Sequence, residues 1–320
     1  VSMRVCVFTE PHRGATYDDQ LRLARLAEDG GFEGFFRADH YRSMSLESGG
    51  GLPGPTDAWL TLAGLARDTS RIRLGTLVSP VTFRLPGPLA VMVAQVDQMS
   101  GGRVELGLGA GWYEREHISH GIPFPRTGER FDRLEEQLAV ITGFWGTPAG
   151  EGFSYQGDHY RLVDAPALPK PVQTPGPPII VGGGGPKRTP ELAARYADEF
   201  NMPFKTVEVT AEAFARVAEA GERVGRAAAG RPPLVLSAGI VVAIGRTDAE
   251  ARRRAAPLHE ASALPPEDPV VGSPAQLVQR IGEFAEIGVT RVHLRLTEMS
   301  DLDHLELIAT EVLPHLNAEH

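Results

Sequence analysis

Asp39 and His40 close the strand-like run Gly34-Phe35-Phe36-Arg37-Ala38, and His40 is the most plausible proton-transfer group of the chain. An imidazole exchanges its proton near neutral pH, and a carboxylate beside it can steady the charged ring. The same residues also suit a structural turn, with Asp39 capping and His40 bonding to backbone; position alone leaves both readings open. A second stretch with chemical potential is Ile179-Ile180-Val181-Gly182-Gly183-Gly184-Gly185-Pro186-Lys187-Arg188. An apolar run there ends in four glycines, and a helix-like segment at 189–197 follows two cations. Glycines let backbone N–H groups approach an anion closely, and a helix start adds a partial positive charge. Phosphate is the natural guest. A merely flexible loop is the alternative, against which stand the apolar strand before the run and the Lys-Arg pair after it.

Spacing removes two familiar phosphate motifs. A P-loop needs Lys directly after its last glycine and then Ser or Thr, but Pro186 intervenes. A dinucleotide fingerprint needs glycine at its sixth position, where counting from Gly182 or from Gly107 gives Lys187 or Trp112. Gly109, Ala110 and Gly111 instead form a small-residue shelf on which a flat ring could lie, with Trp112 or Tyr113 beside it. Aromatic packing at a strand end explains the same residues equally well. Glu114, Glu116, His117 and His120 lack the spacing of a metal motif and read as a solvated helix, as does Arg252-Arg253-Arg254. Cys6, the lone cysteine, lies in an apolar strand and reads as core.

These residues need a frame. Strand-like segments at 4–8, 31–36, 72–78, 104–108, 179–181, 199–202, 234–244 and 291–296 alternate with amphipathic helices at 18–29, 56–68, 88–99, 129–145, 189–197, 211–229, from 248, 275–287 and 301–316. Apolar strands separated by helices mean parallel strands joined by crossovers. About eight such units in ~250–320 residues predict a (β/α)8 TIM barrel occupying 1–320 as one domain. Residues 146–178 break the rhythm with a β-hairpin and a proline-rich return, either a functional loop or a packing excursion. The 320 residues are 42% apolar and 23% charged, an ordinary globular balance, and their net charge of −9 argues against a nucleic-acid partner. No apolar run is long enough to span a membrane, and the chain enters its first strand without a leader, so a cytoplasmic protein is expected.

The ordered motifs resemble the bacterial-luciferase-like superfamily, in particular its branch using the deazaflavin coenzyme F420. Gly34–His40, Leu74–Arg84, Asp97–Trp112, Gly121–Pro125, Gly128–Glu136, Pro169–Gln173 and Pro178–Gly183 carry the likeness, nearly end to end. It implies a barrel with insertions and a cofactor phosphate held by Gly182, Gly183 and Gly184, with Lys187 and Arg188 toward the acidic tail of F420 and Arg84 as a further cation. It implies a ring resting on Leu77 and Val78, joined by a non-prolyl cis peptide, and on Gly109, Ala110 and Trp112. Asp39 and His40 match residues beside the reactive ring centre. The implied activity is hydride transfer between F420 and a small-molecule substrate in an oxidoreductase that pairs as a homodimer. FMN as cofactor of a luciferase-like monooxygenase, or a non-catalytic flavin- or F420-binding protein, are the alternatives.

Overall fold

The computed structural model describes residues 3–44, 52–259 and 266–316. Eight parallel strands close into a barrel: β1 Arg4–Thr9, β2 Gly34–Arg37, β3 Arg73–Thr76, β4 Val104–Gly109, β5 Ile179–Gly182, β6 Glu199–Pro203, β7 Val235–Ile244 and β8 Arg291–Leu296. Each pairs with the next, and β8 returns to β1, where Val5 lies opposite Val292. All eight strands expected from the sequence are present, and the fold is the (β/α)8 barrel. Helices α1 Tyr17–Asp29, α2 Ala58–Asp68, α3 Pro86–Ser100, α4 Glu114–Ser119, α5 Thr127–Gly146, α6 Arg188–Tyr196, α7 Val207–Arg223, α8 Asp248–Ala255, α9 Pro274–Glu286, α10 Leu302–Glu311 and α11 Leu313–Leu316 make up its helical complement. Their apolar stripes bury residues such as Leu23, Leu62, Val93, Ile141 and Leu277 in one core cluster.

Local chemistry moves several boundaries. Helix α7 starts and ends earlier than its apolar pattern suggests, because the Thr206 hydroxyl accepts from Val209 N–H at 3.3 Å and caps it. The strand expected at 72–78 stops at Thr76; a cis peptide joins Leu77 to Val78, and Ser79–Pro80 then runs beside the end of β4. An edge strand, Val270–Gly272, pairs with β7 and has no counterpart in the sequence reading. The hairpin forms from Phe153–Gln156 and Arg161–Ala165. Its turn is pinned by Glu136 on α5, which accepts from Asp158 N–H at 2.8 Å and Tyr160 N–H at 2.9 Å. The arginine run is only partly solvated: Arg254 is buried and ion-paired to Asp301 at 2.7 Å, unlike the exposed Arg252 and Arg253.

Charge crosses the barrel interior near its N-terminal end. Arg291 at the start of β8 reaches Glu105 on β4 and Glu199 on β6, each at 2.7 Å, and these strands are not neighbours. Cys6 is buried beside this network, its thiol pushed strongly toward the protonated form by burial.

Candidate active site

The ends of β2, β3, β4 and β5 hold most of the candidate site residues picked out by the sequence. His40 and Asp39 follow β2, Leu77 and Val78 follow β3, Gly109 ends β4 with Ala110 and Trp112 beyond it, and the glycine run follows β5. Small residues are required there for contact reasons. A side chain at Gly107 would collide with the Thr76 carbonyl oxygen, and one at Gly109 would lie 2.8 Å from the Val78 Cγ2. Val78 therefore seats against the ends of β4 and β5, which leaves it half-buried at the mouth.

His40 lies at the centre of an aromatic cluster. Its ring meets His12 edge-on with centroids 5.1 Å apart, and Trp112 and Tyr113 stand at 6.1 and 6.4 Å. Its Nδ1 is 2.7 Å from Glu116 Oε1, and the other oxygen of that carboxylate accepts from Tyr41 N–H at 3.0 Å. Helix α4 thus ties the loop after β4 to the loop after β2. Glu116 and His117 are 1% and 0% exposed, so the expectation of a solvated helix fails here. One turn of α4 tucks inward because each has an interior partner. His117 donates from Nδ1 to the Tyr113 carbonyl at 2.8 Å and accepts from the Thr82 hydroxyl at 2.6 Å, and burial holds it below the usual imidazole range.

Asp39 faces a different set of partners. It accepts from the Ser79 hydroxyl at 2.6 Å and pairs with Arg84, which also pairs with Asp57. Tyr41 donates to Asp57 at 2.7 Å and receives a bond from Arg84 at 3.1 Å. Burial opposes the charge on Arg84, yet Asp39 and Asp57 outweigh it and hold the guanidinium charged. This knot fastens the loops after β2 and β3 to the start of α2. It also corrects the reading of Arg84 as a cation for the cofactor tail, because its guanidinium is spent on two carboxylates.

The glycine run suits an anion in its backbone. Gly183 has φ +127°, reserved in practice for glycine, and a Cβ at Gly185 would press on the Thr189 hydroxyl. Helix α6 begins directly after it with no side-chain cap, leaving its first N–H groups for a ligand or water. The two cations part company: Lys187 is exposed, whereas Arg188 pairs with Asp132 and, at 3.0 Å, with Glu135 on α5. A phosphorylated flat cofactor fits this arrangement through backbone and glycine rather than through a cluster of cations.

Sequence reasoning missed Glu116 and His12. His12 lies in the short turn Pro11–Arg13 after β1, is 1% exposed, and has no partner for its Nδ1. Burial pushes it well below the usual imidazole range. Its only available signal was its place just past a strand end. Most of the loop at 44–55, between β2 and α2, lies outside the described residues.

A parallel α/β barrel with a histidine–carboxylate pair and a glycine loop on its C-terminal rim defines a class of cofactor-binding barrels. The chain belongs to the luciferase-like monooxygenase family, whose profile matches residues 2–291. Among curated relatives, the F420-dependent glucose-6-phosphate dehydrogenase of Microbacterium testaceum is 36% identical over 184 residues, 57% of this chain and 52% of that protein. The FMNH(2)-dependent dimethylsulfone monooxygenase of Pseudomonas putida is 29% identical over 191 residues, 60% of this chain and 50% of that protein. The chain thus spans about half the length of the curated relatives it matches. An F420-dependent secondary alcohol dehydrogenase, solved with an F420-acetone adduct, superposes with TM-score 0.83 at 19% identity over 99% of this chain and 100% of that one. At that identity the likeness establishes the fold.

Proposed function

We propose that this chain is an F420-dependent oxidoreductase that moves a hydride between the deazaflavin and a small alcohol or its carbonyl partner. The observation that carries this reading is His40, fastened at one ring nitrogen to Glu116 while its side chain stays 11% exposed at the barrel mouth. The relatives that use F420 supply the cofactor. Bound F420 provides the centre that takes or gives the hydride. The remaining work falls to the chain. His40 takes the hydroxyl proton as the hydride leaves the same carbon, and returns it in the reverse direction. Leu77, Val78, Gly109, Ala110 and Trp112 frame the ring, and Trp112, 42% exposed, shields the reacting carbon from water. Gly182, Gly183 and Gly184 receive the phosphate, with Lys187 toward the acidic tail. Asp39 acts through Arg84 and Ser79 to hold the His40 loop.

Fluorescence titration of the purified chain with F420 and with FMN tests the cofactor. Tight F420 binding is expected; tight FMN binding with none for F420 would transfer the chain to the monooxygenase reading, which the dimethylsulfone relative supports. F420 reduction with glucose 6-phosphate and with propan-2-ol then tests the substrate class. Absence of turnover across a panel of alcohols and carbonyls despite tight binding would favour a non-catalytic carrier. The chain is also proposed to form homodimers; Leu60 on α2 and Leu85 before α3 are 78% and 63% exposed apolar side chains, and sedimentation would report the pairing.

A further inference from the structure

We infer that Glu116 is the positioning residue that fixes His40 with its proton on Nδ1 and makes Nε2 the nitrogen that exchanges the substrate's proton. The inference rests on the proposed role of His40 and follows from counting donors around one carboxylate. Tyr41 N–H is an obligate donor, and it points at Oε2 from 3.0 Å. An ionised carboxylate only accepts, so the ring nitrogen 2.7 Å from Oε1 must carry its hydrogen there. Neutral His40 then offers a bare Nε2. The ring can gain a proton at Nε2 and give it back with neither residue moving, and the imidazolium so formed faces a carboxylate already in place.

The other groups around the ring do not compete for this role. His12, on the loop after β1, is held neutral by burial first and by the nearby charges of Arg13, Arg295 and Arg37. Trp112 and Tyr113, on the loop after β4, present uncharged ring edges. Asp39, adjacent in sequence, is taken by Ser79 and Arg84.

Glutamine at 116 makes a sharp probe, because both partners of this side chain are donors. Its amide has one acceptor and one donating group. If the oxygen stays on Tyr41 N–H, the amide N–H₂ faces His40 and favours the tautomer with a bare Nδ1 and a proton on Nε2. If the oxygen turns to His40, Tyr41 N–H loses its acceptor.

The test reads the ring directly and needs no substrate. Long-range nitrogen–proton NMR of the full chain labelled at histidine, with the His40 signal assigned by H40Q, reports which nitrogen is protonated. Wild type is expected to show a protonated Nδ1 and a bare Nε2, and E116Q to move at least half of His40 to the opposite tautomer. Wild type with a bare Nδ1 would overturn the inference even if E116Q fails to fold, and so would an unchanged tautomer in folded E116Q whose Tyr41 amide proton shift shows that N–H still bonded to residue 116. F420 affinity, measured on the same samples, is expected to change less than about threefold in E116Q. Absent F420 binding in wild type with the expected tautomer would sink the cofactor reading and leave the pair standing.

Discussion

Two histidine–glutamate pairs stand in this barrel among the described residues, and their surroundings differ. His293 meets Glu199 at 2.9 Å in the interior, and His40 meets Glu116 at 2.7 Å on the rim. Glu199 also holds Arg291 at 2.7 Å and accepts from the Ser237 hydroxyl, so a permanent cation balances it whatever the ring does. Burial opposes that carboxylate's charge, and Arg291 with His293 outweighs burial and keeps it far below the usual range. Glu116 has the His40 ring and the Tyr41 amide as its hydrogen-bond partners among the described residues, with no guanidinium between them. A proton gained by His40 therefore changes the local balance, and the ring reaches the mouth where one can arrive. The same pair of residue types is a staple where its charge is already matched and, on the proposed reading, a proton carrier where it is not.

Removing each imidazole should separate the two roles. His40→Asn is expected to lower F420-linked turnover by about 10²- to 10⁴-fold, the usual worth of a positioned acid–base group, with little change in unfolding free energy. His293→Asn should do the reverse, costing about 1–3 kcal/mol in urea unfolding through an unpaired buried partner while turnover per folded molecule holds. Turnover that survives His40→Asn but not His293→Asn would invert the comparison.

Arg291→Leu probes the interior cation directly. It leaves Glu105 and Glu199, 3% exposed each, without the guanidinium that joins them. A loss of about 3–5 kcal/mol is expected in denaturant unfolding, the size seen when one partner of a buried pair is removed. Arg291→Lys should recover only part of it, because one ammonium cannot reproduce a fork that bonds both carboxylates.

The barrel was legible in the sequence because its signal is local. Each strand is a short apolar run with a helix after it, and that alternation survives without knowing any partner. The rim was legible for the same reason: strand ends can be counted, and they lead to His40, Val78, Gly109 and Gly182. Partnership was not legible. Glu116 and Arg254 sit in charged runs that read as solvated faces, yet each turns inward to a partner 76 or 47 residues away in the chain. Arg84 read as a free cation for the same reason, since nothing in the sequence around it names Asp39 or Asp57. A charge run states composition, and only the fold states which member is neutralised.

Another buried imidazole sharpens what the carboxylate contributes. His304 is fully buried and accepts from Ile244 N–H through Nε2 at 2.9 Å, with no carboxylate bonded to its ring among the described residues. Burial, helped by the charge of Arg254, lowers its pKa to about 4. Between the unfolded value of about 6.5 and that folded value the unfolded chain binds the extra proton, so stability falls as pH falls through this window. The full loss is about 3 kcal/mol, reached near pH 4. Urea unfolding from pH 7 to pH 4 should show it, and His304→Asn should flatten the slope at the cost of lower stability at pH 7. The depressed carboxylates Glu105 and Glu199 add losses of the same sign further into acid.

The smallest effect belongs to Trp112, and it separates the wall of the site from its chemistry. Trp112 stacks on Tyr113 with centroids 5.2 Å apart and keeps 42% of its surface exposed, whereas Tyr113 is 4% exposed and donates to the Ser43 carbonyl at 3.1 Å. An exposed side chain away from caps and buried pairs is worth about ±0.5 kcal/mol of stability, so Trp112→Ala should unfold close to wild type. Its aromatic face can still order a substrate or the cofactor edge, which predicts a KM or F420 dissociation constant raised by up to about tenfold, equal to ~1.4 kcal/mol, with kcat changed less. A fall in kcat comparable to that of His40→Asn, with KM unchanged, would mean that Trp112 acts on the reacting centre itself, and the rim would then contain two working groups rather than one working ring inside an aromatic frame.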